Sequence, residues 1–490
     1  MSTFDALIIP ERDRWSVEVS AERDKTLERV ALAIQHDEPA LSVLSPYAPG
    51  MHGEILDAPS LVIEDHGAIR LFEHSGDEAY SYRSLLLAGD NDLVALGVER
   101  SGGFEHYCRD WLGLGTPLML TPQAAGDDTL ATRCTKDPHF IDQVVKQAET
   151  SQGLNILPYM GTWALWQLAG KIAAACRAPV RVIAPPPQLT RRANDKIWFA
   201  RLAQSVCGYA AIPPARAADN FVSLCRLAVE LAGAHATIAI KLPDSASSAG
   251  NLVLDAELLR DISWQALHDR LERRLYGLGW NGSFPLQVVA WEQVLSSSPS
   301  VHLWIPALDQ GRPLVEAIFD QHTSGLEREF DGARPCQLEF DWQLRIVRQA
   351  IDIARVLQYL GYFGRCSLDA IIAGQCESSA QLHWVECNGR WGGVSLPLSL
   401  NRRLDSATAE TTPMAIFEQA HQRLPARDLK SVLQMLEPWL YRRGVRNQGA
   451  VLLSPGRLLD GTGFEFMVRA NAVNSALRIG SEVANLLENN

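Results

Sequence analysis

The sequence predicts a multidomain α/β protein, and three observations support this prediction. Its 490 residues exceed what one ordinary hydrophobic core needs, so we expect two to four domains. Hydrophobic residues make up 47% and charged residues 21% of the chain, as in ordered globular proteins. In the amino-terminal third, short apolar runs alternate with amphipathic helical runs, a pattern that favours a parallel, Rossmann-like sheet.

Charge and cysteine content argue against several classes of protein. The formal net charge is −12 and basic residues form no tract, so binding to nucleic acid is not expected. The first twelve residues lack the basic segment of a secretory signal, and no apolar run reaches membrane-spanning length. Nine cysteines without a C-x-x-C pair indicate neither a zinc site nor a disulfide framework. We therefore expect a cytoplasmic protein without nucleic-acid or membrane partners.

The first predicted domain covers residues 1–187 and contains the Rossmann-like sheet. It ends at three consecutive prolines, which can continue neither a strand ladder nor a helix interior. It contains no Gly-x-Gly-x-x-Gly, so dinucleotide binding has no support. Periodicity predicts helices at 21–35, 138–150 and 162–176, and strands at 60–63, 68–72, 93–96, 117–121, 155–157 and 180–183.

The second predicted domain covers residues 188–400 and the third, a small α/β domain, residues 401–490. The second domain opens with a helix that Asn194 or Asp195 can cap and that carries Lys196. A strand ending near Lys241 leads into a loop of small residues. The other predicted elements are helices at 256–275, 341–360, 414–440 and 474–487, strands at 286–291, 301–305, 311–319, 449–453 and 464–468, and a mobile loop reaching residue 335.

Two short strands near residues 361–372 and 382–393 contain the most informative pattern. Glu386 and Asn388 are two residues apart, so in a strand their side chains leave the same face. If Asp369 projects from that face too, two carboxylates and an amide oxygen converge, with Arg390 just beyond. Such hard oxygen ligands suit Mg²⁺ bridging phosphates, and a guanidinium suits a phosphoryl group. An ordinary Asn-Gly turn remains the alternative at this stage.

The loop of small residues after Lys241 is a second candidate. Its sequence, Pro-Asp-Ser-Ala-Ser-Ser-Ala-Gly-Asn over residues 243–251, can bring backbone N–H groups and hydroxyls close to phosphate oxygens. A plain hairpin turn with Lys241 on an edge strand is the alternative reading.

Taken in order, these pieces resemble the ATP-grasp family of carboxylate-amine ligases. The resemblance rests on four features in sequence: the helix led by Lys196, the strand with Lys241 and its small-residue loop, the Glu-x-x-Leu at 292–295, and the Gly361-x₇-Asp369 strand followed by Glu-x-Asn-x-Arg. It covers residues 191–400 and is nearest to the pheganomycin-type peptide ligases, which carry a pre-ATP-grasp domain. It implies an α+β, two-lobed ATP-grasp domain behind a Rossmann-like pre-ATP-grasp domain.

The resemblance also implies roles for individual residues. Lys196 and Lys241 would hold the ATP phosphates, and Glu292, Gln293, Val294 and Leu295 would meet the adenosine at a hinge. Ser245, Ser247, Ser248 and Gly250 would form a lid over the phosphates. Asp369, Glu386 and Asn388 would bind Mg²⁺, while Arg390, with Lys241 and more weakly Arg365, would face the transferring phosphoryl group. Gly389 departs from the family, since most members have proline there.

The implied activity is ATP-dependent formation of an amide or peptide bond through an acyl phosphate, releasing ADP and phosphate. A phosphotransferase of the same fold and a noncatalytic nucleotide-binding protein are the alternatives. The expected partners are small molecules, a carboxylate and an amine. A second copy of the chain, in a homodimer, is the other partner considered. The sequence names neither substrate and identifies no general base. The loop at 244–251 and the segment at 321–335 are the candidate lids.

Overall fold

The computed structural model describes most of the chain, and the fold is given for those parts alone. The described residues are 15, 17–42, 50–69, 80–123, 128–242, 245, 250–260, 262–374, 376–405, 411–420 and 427–489.

A five-stranded parallel sheet forms the first layer, as the alternating pattern predicted. Its strand order is β3-β2-β1-β4-β5. The strands are β1 (Ser60–Ile63), β2 (Leu93–Ala95), β3 (Leu118–Leu120), β4 (Leu154–Pro158) and β5 (Val180–Val182). The predicted strand at 68–72 is not formed at residues 68 and 69, and its remainder lies outside the described residues.

Four of the five α-helices described before residue 176 begin after a residue whose side chain caps them. Asp137 accepts hydrogen bonds from the N–H groups of His139 and Phe140, and Pro138 fits the first helical position, which needs no donor. The helices are α1 (Ala21–Asp37), α2 (Gly102–His106), α3 (Leu130–Lys136), α4 (Pro138–Thr150) and α5 (Trp163–Ala175). Buried aromatic and aliphatic residues of α4 and α5 cover the sheet.

A four-stranded antiparallel sheet forms a separate lobe, with the order β6-β9-β7-β8. Its strands are β6 (Ala215–Ala218), β7 (Thr237–Lys241), β8 (Asn251–Asp255) and β9 (Leu286–Ala290). The helices before and within it are α6 (Pro187–Ala193), α7 (Lys196–Cys207), α8 (Phe221–Ala234), α9 (Glu257–Arg260) and α10 (Trp264–Gly277). Leucines of α8 and α10 pack on the apolar face of this sheet.

An eight-stranded antiparallel sheet forms the opposite lobe, ordered β14-β13-β10-β11-β12-β15-β17-β16. Its strands are β10 (Pro299–Ile305), β11 (Leu314–Ser324), β12 (Glu329–Pro335), β13 (Gly364–Ala373), β14 (Gln381–Asn388), β15 (Met414–Ala420), β16 (Gly449–Leu452) and β17 (Gly463–Arg469). Its helices are α11 (Phe340–Tyr359), α12 (Ser395–Leu404), α13 (Leu429–Leu436), α14 (Gly456–Asp460) and α15 (Val473–Asn489).

Two secondary-structure predictions in this lobe were wrong. The polar stretch predicted as a mobile loop to residue 335 forms the end of β11, a turn and strand β12 of one hairpin. The helix predicted at 414–440 begins instead as strand β15, because these residues pair with β17 over seven positions. Helix α13 forms only the later part. Long-range pairing overrides the local helical pattern in β15.

Strand β15 approaches β12 very closely at one point. Gly332, with φ of +145°, lies against the backbone of Ile416, and an added Cβ would overlap the Ile416 carbonyl. Only glycine fits there, because the backbone conformation and the close approach both exclude a side chain. This contact joins strands from residues 188–400 and 401–490 into one sheet.

The amino-terminal helix packs away from the parallel sheet. Helix α1 lies on α11, where Arg23 Nη2 is 2.7 Å from Asp352 Oδ2 and Arg355 Nε is 2.8 Å from Asp24 Oδ1. The domain limits at residues 187 and 400 stay predictions. None of the helices that the structure describes combines the length and the apolar character that crossing a bilayer requires.

Candidate active site

Three predicted metal ligands meet on one face of the β13–β14 pair. Asp369 lies opposite Glu386 in the strand register, and Ser367 lies opposite Asn388. Asn388 Nδ2 donates to Asp369 Oδ2 at 2.9 Å, and Ser300 Oγ on β10 donates to Asp369 Oδ1 at 2.6 Å. The alternative of a plain Asn-Gly turn does not describe this segment, because Asn388 ends a paired strand.

The two carboxylates titrate differently because their neighbours differ. Burial, and then the nearby Glu386, raise the pKa of Asp369 to about 7. Burial also disfavours the Glu386 carboxylate, but Lys196, Lys241 and Arg390 outweigh it and hold the pKa of Glu386 below its usual range. Asp369 is thus the carboxylate of the pair whose negative charge its surroundings stabilise less, and a bound cation would stabilise it.

Both predicted phosphate-binding lysines approach Glu386. Lys196 is the first residue of α7, and its Nζ lies 3.9 Å from Glu386 Oε2 and donates to Ser245 Oγ at 2.9 Å. Lys241 ends β7 and is buried. Burial lowers the pKa of Lys241 to about 8, with Lys196 and Arg328 acting in the same direction and Glu386 opposing them. Two sheets therefore bring opposite charges to one cleft.

Arg390 lines a cavity of about 160 Å³ together with Asp369, Glu386 and Asn388. Its Nε donates to the Tyr159 hydroxyl at 3.2 Å, and its Nη1 donates to Asn194 Oδ1. Arg390 also lines a second cavity of about 760 Å³, which lies against α6, α7 and the loop after β4. The guanidinium is thus held from two sides at the boundary between the two cavities.

The predicted hinge connects the two lobes. Glu292 Oε2 lies 2.5 Å from His383 Nδ1, and the Arg328 guanidinium donates to the Glu292 carbonyl. Leu295 N donates to Ile372 O on β13 at 2.8 Å, which ties the end of one sheet to the other. Gln293 and Val294 are exposed between these two anchors.

The small-residue loop is described only in part. Ser245 and Gly250 lie together, since a Cβ on Gly250 would overlap the Ser245 side chain, and Leu242 N donates to Gly250 O at 2.9 Å. Ser247 and Ser248 lie outside the described residues. Ser245 is thus the one predicted lid hydroxyl that the structure places, and it contacts Lys196.

Arg365 is not brought to this site, contrary to the prediction that it faces the same anionic region. It is buried, and its Nε donates to Glu316 Oε1 at 3.0 Å. Arg402 Nη1 donates to the other oxygen of Glu316 at 3.1 Å, and the Arg365 guanidinium lies 4.7 Å from the Trp391 ring centroid. The partner that redirects Arg365 is on β11, and the local sequence gave no sign of it.

Several cavity-lining residues were not predicted. They come from segments far apart in the chain, and no short motif contains them. They are Tyr80, Arg83, Tyr159, Ser300, His302 and Glu418. Four other lining residues, Gln321, Thr323, Arg328 and Phe330, belong to the segment 321–335 that was a candidate lid. His383, which contacts Glu292, was not predicted either.

The donor set suits magnesium better than a transition metal. Among the described residues no group of three or more His, Cys, Asp or Glu side chains could hold a metal. Two carboxylates and an amide remain, and Mg²⁺ typically takes one or two carboxylates together with waters and substrate phosphates. The residues present therefore fit a magnesium ion that binds with a nucleotide.

Comparisons with known proteins agree with this architecture. Residues 81–174 match the family model described as the pre-ATP-grasp domain. No curated protein matches the sequence. Among solved structures, the ADP complex of an N5-carboxyaminoimidazole ribonucleotide synthetase is similar, with a TM-score of 0.52, 11% identity, and coverage of 88% of this chain and 98% of that chain.

Two further structures are similar over comparable lengths. N5-carboxyaminoimidazole synthase from Aspergillus clavatus, complexed with ADP and 5-aminoimidazole ribonucleotide, gives a TM-score of 0.51 at 12% identity, covering 88% of this chain and 99% of that one. The biotin carboxylase–β,γ-ATP complex from Campylobacter jejuni gives a TM-score of 0.50 at 12% identity. It covers 87% of this chain and 91% of that chain. The chain therefore has the ATP-grasp fold, with a pre-ATP-grasp domain in front of it.

Proposed function

We propose that this protein is an ATP-dependent ligase that joins a carboxylate to an amine and releases ADP and phosphate. The observation that carries the proposal is the arrangement around Glu386. Lys241 comes from the four-stranded sheet, and Lys196 comes from a helix that packs on the eight-stranded sheet. Asp369 and Arg390 line the same cavity as Glu386. The similar structures that contain ADP or ATP share this fold, which supports ATP as the nucleotide.

The proposed chemistry begins with a carboxylate, which is a poor electrophile until one oxygen becomes a leaving group. A donor carboxylate oxygen attacks the γ-phosphorus of ATP, giving an acyl phosphate and ADP. Lys196, Lys241 and Arg390 neutralise the charge that accumulates on the phosphoryl oxygens, and they are already in position before the reaction. Arg390 offers a planar pair of donors that matches two oxygens of one phosphoryl group.

Asp369, Glu386 and Asn388 would hold magnesium in this scheme. When bound, the ion supplies charge neutralisation on the phosphate oxygens. The hinge would meet the adenosine through Glu292 and the backbone near Leu295, with the exposed Gln293 and Val294 beside it. Ser245 and Gly250, with Ser247 and Ser248, would close over the phosphates and exclude water from the acyl phosphate.

The finer proposal is a peptide ligase of the pheganomycin type, acting in the cytoplasm on small carboxylates and amines. It is supported by the sequence resemblance and by the pre-ATP-grasp domain match. A kinase that stops at phosphorylation is the second candidate and shares the same first step.

A pairwise screen of free amino acids and dipeptides for ATP consumption tests the proposal. In the presence of hydroxylamine, an acyl phosphate is trapped as a hydroxamate, so we expect ADP release coupled to hydroxamate formation. A stable phosphorylated product would identify a kinase instead. ADP release without hydroxamate, amide or phosphorylated product would contradict the ligase proposal.

A further inference from the structure

The 160 Å³ cavity is also lined by residues from two segments far apart in the chain. Tyr80 and Arg83 come from the pre-ATP-grasp region, and Glu418 comes from β15. Glu418 is directly opposite Glu465 in the β15–β17 register, so two carboxylates share one face of the sheet. Like charges in such a pair repel each other unless cations lie between them.

Glu64 and Glu465 share one partner, and Glu418 has others. Arg83 holds Glu64 through its Nε at 2.9 Å and Glu465 through its Nη1 at 3.0 Å. Glu418 Oε1 accepts a hydrogen bond from the Tyr80 hydroxyl at 2.8 Å and lies 3.5 Å from Arg457 Nη2. Glu418 is therefore the carboxylate of this group that reaches the cavity, and its side chain is 9% exposed.

In the ion pairs of this group, carboxylates outnumber guanidiniums. Glu64, Glu418 and Glu465 face two guanidiniums, those of Arg83 and Arg457. A histidine, His66, contacts Glu64, with Nε2 and Oε1 3.2 Å apart, and not Glu418. Burial, and then Glu465, raise the pKa of Glu418 to about 7, against the opposing effects of Arg457, Tyr80 and Arg83. A cation beside Glu418 would relieve this imbalance.

We propose that Glu418 binds the ammonium group of the amine substrate and accepts its proton. This inference rests on the proposed function and names the missing base of that reaction. Asp369 and Glu386 line the same cavity, but Glu386 faces the lysines and Asp369 is hydrogen-bonded to Asn388, so both are assigned to the proposed metal and nucleotide. Glu418 lines the same cavity as Arg390, so an amine bound to Glu418 would share that cavity with an acyl phosphate held by Arg390.

The proposed step transfers one proton to Glu418 and forms the amide bond. The ammonium group gives one proton to the Glu418 carboxylate and becomes a neutral amine. The amine nitrogen attacks the acyl carbon, the C–N bond forms, and the bond from carbon to the phosphate oxygen breaks. The second nitrogen proton leaves with the phosphate as hydrogen phosphate, and Glu418 returns its proton to solvent. The only co-reactant is the acyl phosphate of the proposed reaction.

Binding of butylammonium chloride, compared with butan-1-ol, tests the ammonium site without a known substrate. The two probes have similar size, and the amine stays charged below about pH 9, since such an amine has a pKa of about 10.4. With the full-length protein, ADP and Mg²⁺ at about pH 8.5, we expect NMR titration to show at least about tenfold tighter binding of the ammonium. We expect that preference to disappear in Glu418→Gln.

The wild-type protein gives a second readout that requires no variant. Lowering the pH through about 7 protonates Glu418, so the ammonium preference should be lost by about pH 5.5. The groups that face Glu418 are Tyr80, Arg83, Arg457 and Glu465.

The control variant is Glu465→Gln, which removes an equal charge from a residue that does not line the cavity. It should keep the preference and move its pH midpoint downward, because the repulsion between the two carboxylates is gone.

Equal affinity for the two probes at pH 8.5 would overturn the inference, as would a preference that persists in Glu418→Gln or does not change with pH. These outcomes are separate from a failure of the ligase proposal. An ammonium site without any hydroxamate formation would contradict only the proposed reaction.

Discussion

Two arginines from the same stretch of sequence, Arg365 and Arg390, end in opposite situations. Arg365 and Arg402 are buried, and each donates to one oxygen of Glu316. None of these three residues lines the 160 Å³ cavity that contains Asp369 and Glu386. Arg390 is held by neutral groups, Tyr159 and Asn194, and lines that cavity. An arginine already paired with a buried carboxylate stabilises the fold, whereas one oriented by neutral partners keeps its charge for a ligand.

The strongest test of this comparison is Glu316→Gln. The change leaves two buried guanidiniums without their carboxylate, which typically costs about 3–5 kcal/mol of unfolding free energy. Chemical denaturation at neutral pH measures it. A loss below about 1 kcal/mol would mean that the Arg365 cluster is not structural.

The same variant has a pH signature. Burial disfavours the Glu316 carboxylate, but Arg365 and Arg402 outweigh it and hold its pKa below the ordinary 4.5. The stabilisation is therefore present above that pH and is lost as the pH falls through the lower pKa of the folded state. The difference in unfolding free energy between wild type and Glu316→Gln should shrink in acid. Glu230→Gln, which alters an exposed pair with Arg226, should leave the unfolding free energy nearly unchanged.

Glu386→Ala tests the other side of the comparison. It removes the carboxylate that faces both lysines, so we expect magnesium-dependent ATP turnover to fall at least about 100-fold while the protein folds normally. ADP release and thermal denaturation measure the two properties, with Glu230→Gln as the matched control. Turnover close to that of the wild type would remove the metal assignment.

Exchanging each arginine for lysine separates the two roles directly. Arg390→Lys keeps the charge but loses the bidentate fork, so turnover should drop about tenfold or more with little change in stability. Arg365→Lys should show the reverse, with a lower melting temperature and a kcat close to wild type. If both variants lose turnover equally at matched stability, the distinction between the two arginines fails.

Glu292→Gln should give the smallest effect. Glu292 lies at the predicted hinge, outside both arginine clusters, and its carboxylate contacts His383. Weakening one hydrogen bond at the proposed adenosine site should raise KM for ATP about five-fold, about 1 kcal/mol, with kcat retained. A loss of kcat with unchanged KM would place Glu292 nearer to the chemistry than to the nucleotide base.

The sequence predicted those parts of the site that depend on local periodicity. Glu386 and Asn388 share a face because a strand has a period of two residues, and Asp369 is on the neighbouring strand of the same hairpin. Lys196 follows a capping residue, Asp195, that fixes where its helix begins. These relations need no knowledge of distant segments.

What the sequence could not predict depends on distant partners. Arg365 is redirected by Glu316, 49 residues away, and Tyr80 meets Glu418 across 338 residues. Strand β15 was predicted as a helix because only its pairing with β17 makes it extended. The roles of Ser247 and Ser248 remain predictions.

The close fit of Gly332 against Ile416 has a consequence for protein engineering. A chain shortened to end near residue 400 would leave β12 as a bare outer strand, with backbone donors and acceptors ready to pair with another molecule. The last ninety residues therefore cover an edge strand that would otherwise promote aggregation, and we expect their removal to lower solubility.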